Sequence, residues 1–110
     1  MPRMVRCSII QASNAVPATE PLAKQKQAMV EKHVGLIRQA ARQGAQIACL
    51  QEIFNGPYFC AEQEVKWYEM TEPVPDGPTV TLMCGLAKEL SINNFRRRQW
   101  RSSHRNLGER

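Results

Sequence analysis

At 110 residues the chain has room for one domain of ordinary size and none for a large two-layer enzyme. Hydrophobic residues make up 43% and charged residues 23%, the balance of a soluble globular chain, and every apolar run is short and broken by Lys, Arg, Glu or Gln, which excludes a transmembrane helix. The formal charge of +5 is unevenly placed: residues 1–90 hold nine basic and nine acidic side chains, whereas residues 91–110 hold six Arg and one Glu, so the excess belongs to the C-terminal segment alone.

Residues 4–11 are rich in β-branched side chains and suit a first strand. Arg6 within it, and polar residues after it, argue against a secretory signal, and a cytoplasmic location is expected. Residues 12–21, with Ser13, Asn14, Pro17, Thr19 and Pro21, read as a loop containing several helix-start residues. Residues 22–43 then turn helical: Val30, Val34, Ile37 and Ala41 recur at four, three and four, with Met29 and Leu36 widening the stripe. Gly44 stands where a left-handed helix end is most often glycine. His33 lies beside the stripe and is expected on the helix surface or partly buried, not as a ligand.

Residues 45–50 form the next apolar run, read as a strand buried on both faces of an α/β sheet. Strand, long helix, strand requires parallel pairing with a right-handed crossover, which brings Gln11 and Glu52 to one edge. Open parallel sheets bind ligands outside the carboxyl ends of their strands, so Glu52 is the candidate functional acid. The alternative is an acid held in a salt bridge or capping a helix. Tyr58 and Phe59, after Gly56-Pro57, are candidates to line a substrate pocket or to pack beneath a loop.

Residues 61–70 suggest a short helix with Val65, Tyr68 and Trp67 turned inward. Residues 71–78 hold three prolines, Pro73, Pro75 and Pro78, and Gly77 and cannot be regular structure. Pro78 favours a first helical turn, and Val80, Met83, Ala87 and Leu90 give a helix over 78–90. Residues 91–110 have neither a strand nor a helix period, so a third strand is not expected and the Arg-rich segment reads as a disordered tail. Cys7, Cys49, Cys60 and Cys84 show no Cys-x-x-Cys pair and no His at zinc spacing, so neither a metal site nor a disulfide framework is expected. Cys7 and Cys49, inside strands, read as small buried hydrophobes.

Leu50-Gln51-Glu52-Ile53-Phe54, then Gly56-Pro57-Tyr58-Phe59-Cys60, Trp67-Tyr68-Glu69 and Glu72-Pro73-Val74-Pro75-Asp76-Gly77-Pro78-Thr79, resemble blocks of the nitrilase superfamily of carbon-nitrogen hydrolases. The likeness is nearest to the branch of β-ureidopropionase and N-carbamoylputrescine amidase and runs over about residues 4–90. It implies the N-terminal part of an α-β-β-α sandwich, here strand-helix-strand-helix: a partial hydrolase domain over 1–90 and a basic tail over 91–110. It also implies a Glu, Lys and Cys triad without cofactor, a small N-carbamoyl amine or amide as substrate, and homo-oligomers. By position Glu52 matches the general base that deprotonates the nucleophilic thiol, since cysteine attacks as the thiolate.

Cys60 and Cys84 do not match the family's nucleophile, nor Lys66 and Lys88 its lysine. The chain by itself is therefore expected to be inactive, and its C-terminal segment reads as a truncated or frame-shifted product or a gene-model error. The alternative function is a non-catalytic module whose Arg96, Arg97, Arg98, Arg101 and Arg105, interleaved with Phe95 and Trp100, contact nucleic acid or another polyanion. A merely solvated tail is favoured over it.

Overall fold

The structure, a computed structural model, describes residues 3–96. Strands β1 (Cys7–Ile10), β2 (Ile47–Leu50) and β3 (Asn93–Arg96) form one parallel sheet in that order, with helix α1 (Leu22–Arg42) joining the first pair and α2 (Pro78–Leu90) preceding the third. Two 3-10 turns, Phe59–Ala61 and Val65–Met70, interrupt the long connection from β2 to α2.

The register pairs Cys7 with Ile47 and Ile10 with Leu50, so β1 and β2 end level with one another. Just beyond, the Ala12 amide donates to Gln51 Oε1 at 2.7 Å and ties the two strand ends together. Helix α1 ends as its glycine predicts. Gly44 adopts φ 88, its amide donates to Ala41 O and the Ala45 amide to Ala40 O, the paired bonds of a left-handed helix end. A Cβ at Gly44 would also meet Arg6 Nη1 at 2.9 Å. The variant Gly44→Ala is expected to lose about 1–2 kcal/mol, the cost of a left-handed alanine, read as a lower urea midpoint at unchanged slope.

Ile10, Ile37, Ala40, Ala45, Ala48, Leu50, Phe54, Leu86 and Ile92 form the core, between the sheet and both helices. Among the described residues the second strand is thus covered on one face, not two. Ala48 and Leu50 point into the helix layer, Ile47 and Cys49 are only half-buried, and Ile9 on β1 is 80% exposed. The strands step in one direction across the sheet, so crossovers of the same hand lay α1 and α2 on the same side. The open face also explains Cys7, exposed rather than a buried hydrophobe, and Cys49, half-buried.

Three further differences from the sequence reading have local causes. The buried line of α1 runs through Gln25, Met29, His33, Ile37 and Ala40, rotated from the Val30 and Val34 stripe, so His33 is a core residue. A third strand does form. Edge pairing needs only backbone groups, so Asn93–Arg96 pairs parallel with β2 without an apolar period, after Ser91 turns at φ 54 and buried Ile92 donates to Ala87 O. Residues 61–70 form 3-10 turns that leave Val65 and Tyr68 exposed instead of an inward-facing helix. Of the tail expected over 91–110, residues 93–96 form β3, and residues 97–110, with most of the arginines, lie outside the described residues.

Candidate active site

Glu52 sits in the turn immediately after β2, exposed, with half-buried Ile53 and buried Phe54 following it. That alternation fixes the turn from behind. Phe54, 1% exposed, packs edge-on against His33 with ring centroids 5.3 Å apart and planes at 64°. Gln51, on the other side of Glu52, is held by the Ala12 amide.

Beside this turn a cleft of about 260 Å³ is walled by Ile53, Asn55, Pro57, Phe59 and Trp67, with Glu72, Thr79 and Val80 opposite. Gly56 lets the loop close over Met70, whose Cε lies 2.5 Å from where a Cβ would be. Phe59 stacks on Trp67 at 6.0 Å and 29°, and Lys66 Nζ stands 4.8 Å over the indole. Of the two pocket candidates, Phe59 therefore lines the cleft, while Tyr58 is 70% exposed and does not. Glu52 itself is outside the wall, adjacent in sequence to Ile53 within it.

Glu72, which the sequence reading did not single out as a site residue, is bonded on several sides. Its carboxylate accepts from the Thr79 amide at 2.6 Å and from the Thr79 hydroxyl, and pairs with Lys26 of α1. It therefore caps the start of α2, where a helix leaves its first amides without internal partners and favours negative charge. Lys26 Nζ also donates to Met70 O at 3.2 Å, joining α1 to the floor of the cleft. Burial pushes the Glu72 carboxyl up, but the bonds from Lys26 and from the Thr79 hydroxyl and amide outweigh it and hold the group below its ordinary range. An acid immediately before Pro73, in an irregular segment, gives no period or spacing by which to foresee this.

None of the lysines and cysteines weighed from sequence for a triad lines the cleft. Lys66 is engaged by Glu64 and Glu62, Lys88 lies exposed on α2, and Cys60 and Cys84 are exposed thiols. Among the described residues no three His, Cys, Asp or Glu side chains gather as a metal site, and no helix is long and apolar enough to cross a membrane.

A model of the carbon-nitrogen hydrolase family matches residues 6–93, which takes in all of β1, α1, β2, the cleft and α2. This chain belongs to the carbon-nitrogen hydrolase family. Among curated members, it is 36% identical over 91 residues to a β-ureidopropionase of Arabidopsis thaliana, covering 83% of this chain and 22% of that protein. It is 42% identical over 57 residues to an N-carbamoylputrescine amidase of Solanum lycopersicum, covering 52% and 19%. A nitrilase of Pyrococcus abyssi is 34% identical over 58 residues, covering 52% and 21%. The chain thus spans about a fifth of the length of these hydrolases.

Proposed function

We propose that this segment supplies the general base of a hydrolase acting on non-peptide carbon-nitrogen bonds, with an N-carbamoyl amine as substrate. Glu52 is the base. The observation that carries this reading is the position of Glu52, an exposed carboxylate at the carboxyl end of a central parallel strand, inside the family-matched segment. The N-carbamoyl class is supported by the names of relatives that match this segment.

In the mechanism, the Glu52 carboxylate takes the proton from a cysteine thiol as sulfur attacks the carbamoyl carbon. Ammonia leaves with a proton returned to it, giving a thioester. Water, deprotonated by the same carboxylate, then attacks the thioester and frees the thiol. The released carbamate divides into amine and carbon dioxide, so one water is consumed for each ammonia, amine and carbon dioxide formed. A lysine ammonium steadies the oxyanion of each tetrahedral intermediate. No lysine or cysteine of this chain matches those two roles, so the 110-residue polypeptide by itself is assigned no turnover. Assembly into homo-oligomers belongs to the same reading of the complete hydrolase.

The test is ammonia release from N-carbamoylputrescine and from ureidopropionate. The 110-residue chain is expected to give none above the uncatalysed rate. The same residues 6–93, grafted in place of the matched segment of the Arabidopsis thaliana β-ureidopropionase, are expected to support turnover. Release by the isolated chain would sink the claim of inactivity, and a folded but silent graft would sink the N-carbamoyl reading.

A further inference from the structure

His33 is a buried titratable group that the hydrolase mechanism does not use. It lies in the middle of α1 with 0% exposure, and its Nδ1 is 2.8 Å from Met29 O. A carbonyl only accepts, so Nδ1 carries the proton and Nε2 presents a bare lone pair. Nε2 is buried and has no hydrogen-bond partner among the described residues. The ring's other neighbour is Phe54, in edge-on contact, two residues after Glu52.

We propose that His33 is a positioning residue for the Glu52 turn: as a neutral ring it seats Phe54 and fixes the loop after β2, and on protonation it releases them. The energetic asymmetry comes from burial. A second proton would place an N–H and a full charge where the ring makes its aromatic contact, with no acceptor for it. The charged groups nearby do not relieve this. Lys32, its helix neighbour, adds repulsion while bonding Ser13 O, and the acids held by the first turns of α1, Glu20 and Glu72, are engaged by Lys24 and Lys26 rather than by the ring. Glu52 is the single titratable side chain in residues 51–57, and it is exposed. Burial accordingly pushes the His33 pKa below its ordinary 6.5, against the Met29 bond, with Lys32 acting in the same direction as burial.

The sign follows from linkage. Unfolded chains bind the proton first, near pH 6.5, so the seated form is fully favoured above that value and loses ground as pH falls toward the lower folded value. This is the reverse of a histidine stabilised by an acidic partner. The bearing of the latch on catalysis rests on reading Glu52 as the base, whereas the positioning itself does not.

The experiment is an NMR titration of the intact 110-residue chain from pH 8 to 5, following the His33 and His104 rings, the Phe54 ring and the amides of residues 51–56. The Phe54 ring and loop amides are expected to shift with the midpoint of His33, below 6.5. In His33→Phe, which keeps an aromatic ring but takes no proton, that step is expected to vanish. A loop that follows the midpoint of His104, or keeps its step in His33→Phe, would overturn the proposal. If His33→Phe does not fold, the coincidence or separation of the His33 and Phe54 midpoints in the parent chain decides it. None of these readouts depends on turnover.

Discussion

Replacing Glu72 by Ala is expected to destabilise the fold by about 2–3 kcal/mol, the cost of leaving a partly buried charge and a helix-end amide without their acceptor, and in a chain this small that is a large part of the stability. Three groups lose an acceptor at once: Lys26, which keeps only Met70 O, the Thr79 amide and the Thr79 hydroxyl. The carboxylate side chain is 11% exposed and the lysine 20%, so water replaces little of what is lost. Its position multiplies the effect, because the same oxygens cap α2 and fasten the proline-rich segment to α1. Urea unfolding measures it directly, and a cycle with Lys26→Met separates the ion pair from the helix cap. The pH dependence has a definite sign. Glu72 titrates below its ordinary 4.5 in the fold, so its contribution is present above that value and is lost as pH falls through the depressed one. Glu72→Gln is expected to flatten the acid limb of the stability curve, and an unchanged limb would show that other carboxylates set it.

The elements whose evidence is local were legible from sequence. Helix α2 begins at Pro78 and ends at Leu90, as its first-turn proline and apolar spacing require, and Gly44 takes the left-handed turn its place after α1 implies. Glu52 also lies where a strand-helix-strand unit puts it, at the level end of β1 and β2. What was not legible depended on partners distant in sequence. The rotation of α1 about its axis follows from Phe54 packing on His33, a contact spanning β2, and no helical period records it. Glu72 meets Lys26 across most of the domain. The exposure of Ile9 and Cys7 reflects both helices lying on one side of the sheet, which the apolar strand pattern alone does not report. β3 is visible only as backbone pairing with β2.

Glu52→Gln carries the second large effect. In the graft of residues 6–93 into the Arabidopsis thaliana β-ureidopropionase, it removes the proposed base and keeps the side chain's size, with an amide's hydrogen-bonding capacity, in an exposed turn. The fold should therefore be intact, with a urea midpoint close to that of the parent graft. Proton transfer by a placed side chain contributes about 10²–10⁴-fold, so kcat for ammonia release from N-carbamoylputrescine or ureidopropionate is predicted to fall by that factor with KM little changed. A folded Glu52→Gln graft that releases ammonia as fast as its parent would contradict the assignment of Glu52 as the base.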